Sequence, residues 1–443
     1  GHIRREKQDY HLRACEVMPD GVAGYAQSRS PQPLYLSNAE GSRIFDIEGR
    51  GYIDYLLGAG PLVLGHRHPA ITKALHSAVD RAIPNVGVSV NQIELAERLR
   101  YHVPSMNYMR FLPTGTEAIQ AAIRIARKFT GRNLIGKFEG AYHGQSENVM
   151  VSVTANINDR GDEFNPERVP YHCQLPTEIT ELTIVLPFND IESCSKIIER
   201  HADELAVILI EPMLGFAGAI PAEQKFIDQL RAITEKYGIV LCFDEVITGF
   251  RLAMGGGQAH FGITPDLTVL GKAIGGGMPL AAVGGHKDIM DVLSATNHPQ
   301  DYVFQSGTFS AFPLSVAAGL ATLDAMERNN TIGHTTDLGH KIRNGLRNVI
   351  DDLGVAAEVT GLGSLFHIHF TDKKIKTARD AEDADQNVIK ILHERLLDHG
   401  VHFFAGRLGF LSGAHGNDDI GYTLNAIKTV LEELCDDDLL SRK

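Results

Sequence analysis

The chain has 443 residues, of which 43% are hydrophobic and 22% charged, a globular composition with enough material for a large core and two domains; this excludes a disordered or fibrous protein. Its 42 basic and 55 acidic side chains give a formal charge of −13, and no stretch clusters Lys and Arg with aromatics, so neither nucleic acid nor an anionic membrane is an expected partner. No run of about 18 apolar residues occurs, and the opening Gly1-His2-Ile3-Arg4-Arg5-Glu6-Lys7 lacks the apolar centre of a secretory signal; a cytoplasmic protein is the expectation, with Gly1-His2 read as a tag remnant.

In chain order, Arg43-Ile-Phe-Asp46 and Tyr52-Ile-Asp-Tyr55 around Glu48-Gly49-Arg50-Gly51 predict a hairpin. His66-Arg-His68-Pro reads as a turn rather than a metal site. Phe111-Leu-Pro-Thr114-Gly115-Thr116-Glu117-Ala118 leads into a helix marked by Ile119, Ala122, Ile123 and Ala126. Gly131 to Lys137 has P-loop spacing, but Phe138 stands where Ser or Thr is required and a helix precedes it, which excludes a nucleotide triphosphatase. Ala206–Ile210, Ile239–Phe243 and Leu267–Leu270 predict buried strands, with a crossover helix over Phe226–Lys236 between the first two. A helix follows Pro313 to about Glu327, and then Val359–Phe370 and Ala378–His399 mix strands and helices. His393-Glu394 and His399 lie six apart rather than four, so they do not form a zinc pair on one helix face. The cysteines Cys15, Cys173, Cys194, Cys242 and Cys435 show no C-x-x-C spacing and read as reduced thiols; no metal is expected. The organisation expected is an N-terminal segment 1–70, a large domain 71–325 and a smaller C-terminal unit 326–443.

Four places can carry chemistry. Ile239–Phe243 ends in Asp244-Glu245, two carboxylates at the carboxyl end of a buried strand, where open α/β sheets bind ligands; capping of the following turn is the plainer reading. Leu267–Leu270 ends in Gly271-Lys272-Ala-Ile-Gly275-Gly-Gly277, and a lysine flanked by glycines at a strand end suits Schiff-base chemistry. Gly115 and Thr116 open a helix, where free N–H groups and the helix dipole favour an anion, although an ordinary Thr cap fits as well. Gln305-Ser306-Gly307-Thr308-Phe309 lies ahead of another helix, and two such starts suit an anchored phosphate.

Taken with Gly140-Ala-Tyr142-His143-Gly144, Glu211-Pro212, Val246-Ile-Thr-Gly249-Phe250-Arg251 and Pro265-Asp266, these segments resemble the class III, or ω-type, pyridoxal-phosphate (PLP) aminotransferases over roughly residues 33 to 420. Within that group the likeness is to the glutamate-1-semialdehyde aminomutase-like branch. The resemblance implies an α/β architecture of fold type I: a large domain with a mainly parallel seven-stranded sheet, a small α+β domain built from both chain ends, and a homodimer with active sites at the interface. It implies PLP as cofactor, an amino donor and a keto acceptor as small-molecule partners, and transamination as the activity, with intramolecular amino transfer as the alternative.

The residue roles it implies follow in turn. Lys272 forms the Schiff base and then moves a proton; Asp244 holds the pyridine nitrogen protonated. Tyr142 and Val246 sandwich the ring, His143 belongs to the same cofactor contacts, and Gly115 and Thr116 bind the phosphate, which Thr308 reaches from a second subunit. Glu211 orients a polar group near the cofactor oxygen or is a structural strand-end carboxylate. Arg407, in Gly406-Arg407-Leu-Gly-Phe410, stands where the aminomutase pattern carries a glutamate in Ser-x-Phe-Glu-Ala-Gly-Phe. A guanidinium there grips a carboxylate that a glutamate repels, which turns the expectation toward transamination. Arg29, in Ser28-Arg29-Ser30-Pro31, is a second candidate for substrate binding, or part of an exposed loop.

Overall fold

The computed structural model describes residues 2–81 and 87–443, with side chains from residue 9 onward; Gly1 of the expected tag remnant lies outside them. The first strands, Leu36–Glu40 (β1), Arg43–Asp46 (β2) and Gly51–Asp54 (β3), form an antiparallel meander. Its predicted hairpin is closed by Asp46, whose Oδ1 accepts from the N–H groups of Glu48 and Arg50 at 2.9 Å each, an Asx-type closure of a turn.

The apolar runs in the middle of the chain assemble one seven-stranded sheet from Tyr108–Leu112 (β4), Leu134–Phe138 (β5), Thr183–Leu186 (β6), Leu205–Ile210 (β7), Val240–Glu245 (β8), Leu267–Leu270 (β9) and Ala281–Gly285 (β10). Its spatial order is β4-β10-β9-β8-β7-β5-β6. Only β10 opposes its neighbours β9 and β4; the pairs β9–β8, β8–β7, β7–β5 and β5–β6 are parallel. Strands covered on both faces need no polar side, and β7 shows why: Ile208 and Ile210 enter one apolar layer, Val207 and Leu209 the other. The covering helices include Gly115–Thr130 (α1) and the crossover Gln224–Tyr237 (α2). Each fully buried branched side chain of this kind contributes roughly 1.5–3 kcal/mol.

Beyond the sheet come Pro313–Asn329 (α3) and Thr331–Leu353 (α4). They are followed by Glu358–Thr360 (β11), Leu365–His369 (β12), Gln386–Asp398 (α5), Val401–His402 (β13), Gly409–Phe410 (β14) and Asn417–Asp436 (α6). The two ends of the chain meet: β13 pairs in parallel with β3, Val401 with Ile53 and His402 with Asp54. One apolar cluster joins Ile53 and Tyr55 to Leu338 of α4, Leu392 of α5 and Val430 of α6, so a smaller α+β assembly is made from both termini. The expected helices and strands lie where the apolar spacing puts them. The differences are at the ends, α3 running to Asn329 and α2 starting at Gln224.

Candidate active site

Parallel strands release their chain at the same edge, and that geometry brings the candidate residues together. Glu211 follows β7, Asp244 is the penultimate residue of β8, and Lys272 follows β9 after Gly271. Phe243 is level with Ile210, and Asp244 with Val269. Tyr142 and His143 enter on the loop after β5, and Gly115 and Thr116 on the first turn of α1 after β4. Seven residues chosen from sequence thus share one edge.

Asp244 is buried. Its Oδ2 lies 2.8 Å from His143 Nδ1 and its Oδ1 accepts from Val246 N–H at 3.0 Å. A carboxylate only accepts, so Nδ1 of His143 carries the proton; burial holds this imidazole neutral by lowering its pKa against the pull of Asp244. Its Nε2 is buried without a hydrogen-bond partner among the described residues. Glu245, the other strand-end carboxylate, turns away and is taken up by Thr248 (2.8 Å), Gly257 N–H and Gln258 Nε2 (2.7 Å).

Glu211 accepts N–H from Tyr142 at 3.0 Å and from Gly215 at 3.4 Å. Burial, and next the charge of Asp244, raise its pKa well above the carboxylate range. Lys272 adopts φ +44° and donates from Nζ to Ala59 O at 2.6 Å. Its pKa is lowered to about 8, chiefly by burial; Arg251 lowers it further and Asp244 opposes. Arg251, quoted in the sequence motif but given no role there, is buried without a carboxylate partner among the described residues. Its Nη1 donates to Ser364 Oγ (2.7 Å) and Leu411 O (2.8 Å), and its Nη2 to Gly60 O (2.8 Å).

At α1 the structure separates two functions the sequence left open. Thr114 is the cap, its hydroxyl accepting from Glu117 N–H at 3.2 Å. That leaves Gly115 and Thr116 at the first helical positions. Gly144, at φ +90°, comes so close that a Cβ there would lie 2.5 Å from Thr116 Oγ1, and Gln145 N–H donates to the same oxygen at 3.3 Å. Val246 borders this space: a Cβ on Gly115 would approach its Cγ2 to 3.2 Å, and one on Gly271 its Cγ1 to 3.3 Å. Thr308 is exposed on the turn Gly307–Ser310, with no hydrogen bond among the described residues to this group.

Arg407 is half-buried. Its guanidinium lies 3.8 Å from the centre of the Phe216 ring, and Nη1 donates to Phe216 O at 3.2 Å. Phe216 in turn stacks on Tyr142 with ring centres 5.6 Å apart, so Arg407 connects to Tyr142 through one aromatic ring. Sequence reasoning missed Phe216: it sits in a loop five residues past Glu211, where no periodicity marks it. Arg29 faces α5, where Glu394 and Asp398 offset the cost of its burial.

Residues 25–406 match the family model described as aminotransferase class-III. The chain belongs to the class III aminotransferases. It is 36% identical over 431 residues to the protein of Methanopyrus kandleri named glutamate-1-semialdehyde 2,1-aminomutase, covering 97% of this chain and 98% of that one. Among solved structures, an omega-transaminase from Sphaerobacter thermophilus is 34% identical with a TM-score of 0.91, covering 98% of this chain and 99% of that one. A β-phenylalanine aminotransferase from Variovorax paradoxus is 31% identical with a TM-score of 0.88, covering 98% and 95%. The aminomutase name thus supports the reading that the sequence analysis placed second.

The cofactor of the class III aminotransferases is pyridoxal phosphate, and the residues here fit it. Asp244 offers a buried carboxylate, fixed by His143 and by Val246 N–H, that suits a protonated pyridine nitrogen. The first turn of the 16-residue α1 offers N–H groups to a phosphate, and Lys272 presents an amine whose proton is easily lost. No described helix is long and apolar enough to cross a membrane.

Proposed function

We propose that this class III enzyme is an aminotransferase that exchanges an amino group between separate donor and acceptor molecules, with Arg407 taking the carboxylate of at least one of them. When bound, pyridoxal phosphate supplies the electron sink for the exchange. Lys272 attaches the cofactor and, once freed, moves a proton beside it; Asp244, oriented by His143, keeps the ring nitrogen protonated. Tyr142 and Val246 bound the ring faces, Glu211 orients polar groups at the ring edge, and Gly115 and Thr116 hold the phosphate. A second copy of the chain would bring Thr308 to that phosphate.

The observation that carries the transamination reading is Arg407 on Phe216, a guanidinium with N–H groups to spare on the Tyr142 side of the site. The 34% and 31% identical transaminases agree with it. The aminomutase reading, intramolecular transfer within glutamate-1-semialdehyde, is favoured by the name of the 36% identical relative. A substrate panel separates the two: β-phenylalanine and 1-phenylethylamine as donors with keto acids as acceptors, against glutamate-1-semialdehyde alone. Exchange that requires two partners is expected. Efficient conversion of glutamate-1-semialdehyde to 5-aminolevulinate without a second partner would establish the aminomutase instead.

A further inference from the structure

Three histidines that the reaction does not use lie buried behind Arg407. His367 and His369 alternate on β12, so they share one face of the strand, opposite Phe366 and Ile368 in the terminal core. Their rings meet edge to face at 4.7 Å, and His393 of α5 lies 6.2 Å from His367, stacked at 4.5 Å on Phe403.

Each ring holds backbone rather than a charge. His369 Nε2 donates toward Gly218 O at 3.1 Å and toward Thr360 Oγ1 at 2.9 Å, and that hydroxyl in turn donates to the same carbonyl at 2.7 Å. His393 Nδ1 accepts from Gly406 N–H at 2.9 Å, the backbone of Phe404 adjoins the same ring, and the backbone of Arg407 itself adjoins His367. Gly218, at φ +119°, packs so tightly that a Cβ would lie 2.5 Å from His369 Cε1 and 3.0 Å from His367 Cδ2. Burial lowers all three pKa values, to about 4 for His369 and about 3 for His393. Each neutral ring therefore offers one donor and one acceptor, as these bonds require.

The two backbone segments so held are the two that aim Arg407. One ends at Gly218 and carries Phe216, on whose ring the guanidinium rests; the other, 404–407, carries the arginine. We propose that His367, His369 and His393 are positioning residues that fix both loops and thereby set how well Arg407 receives a substrate carboxylate. The inference rests on the carboxylate role given to Arg407 above. A bidentate grip tolerates little angular error, so a loosened platform should weaken carboxylate partners selectively.

The test uses holoenzyme half-reactions with β-phenylalanine and with 1-phenylethylamine, which lacks the carboxylate. His369→Leu should raise KM for β-phenylalanine by about tenfold with a much smaller change in kcat, and leave 1-phenylethylamine unaffected. His369→Gln, whose amide N–H replaces the Nε2 donor, should restore most of the loss. In an Arg407→Ala background His369→Leu should have no further effect on β-phenylalanine. If His369→Leu does not fold, Thr360→Val, which removes both the other donor to Gly218 O and the hydroxyl beside His369 Nε2, is expected to show the same selectivity at smaller size. Equal effects on both amines, or none, with Arg407→Ala still selective, would overturn the platform and leave the role of Arg407 standing. If the wild type does not prefer the carboxylate-bearing donor, or Arg407→Ala is unselective, the functional reading fails and the platform with it.

Discussion

Lys272 combines a left-handed backbone, a half-buried amine and a single carbonyl acceptor, Ala59 O at 2.6 Å. A non-glycine residue at positive φ costs on the order of 1–3 kcal/mol and persists where its surroundings demand it. Here the amine comes to rest on Ala59 O, within the electrostatic reach of Asp244. Lys272→Ala should abolish turnover, and borohydride reduction of the wild type in the presence of PLP should label Lys272; label on another lysine refutes the assignment. The amine that captures PLP must be neutral, and its pKa is lowered to about 8, so capture by apoenzyme should fall about tenfold per pH unit below 8 and level off above it. Because Asp244 raises this pKa and Arg251 lowers it, Asp244→Asn should move the midpoint down and Arg251→Met should move it up. Stopped-flow absorbance across pH reads both directions. Asp244→Asn should also lower turnover strongly while leaving PLP bound.

Among the elements, the start of α1 is the most sharply constrained. Gly144→Ala places a Cβ 2.5 Å from Thr116 Oγ1 at φ +90°, a clash and a strain together. It should raise the dissociation constant for PLP by tenfold or more in equilibrium dialysis while the helix stays folded; unchanged affinity would remove Thr116 from the phosphate site. The same loop shows how far sequence reading reaches. β7, β8 and β9 were legible because the runs Leu205–Ile210, Val240–Phe243 and Leu267–Leu270 are almost wholly apolar. Asp244 and Lys272 were legible because they terminate those segments. Phe216, Ala59 and the three histidines were not, since their roles depend on contacts made across loops. His369 and Gly218 are 151 residues apart, and Lys272 and Ala59 are 213. Two-residue strands such as β13 carry no period to read.

At the scale of the whole molecule, Thr308 stands exposed on its turn near the uncovered Phe304 and Phe309. If a second copy delivers it, PLP affinity should fall as the protein is diluted to monomers, and Thr308→Val should weaken binding in the dimer without altering the monomer. Sedimentation with absorbance at the cofactor band measures both; a monomer that holds PLP as tightly as the dimer excludes the arrangement.

The pairing of β13 with β3 also sets a timetable. Asp54 and His402 are 348 residues apart, and synthesis at about 5–20 residues per second leaves β3 waiting on the order of tens of seconds for the strand that completes its sheet. Ala59, the resting place of the Lys272 amine, lies just beyond β3 and shares that wait. The nascent chain can therefore fold its central sheet, with lysine and carboxylate in place, before the loop that shelters the amine is anchored. A chain stopped short of Val401 should keep the sheet yet leave that amine without its anchored acceptor.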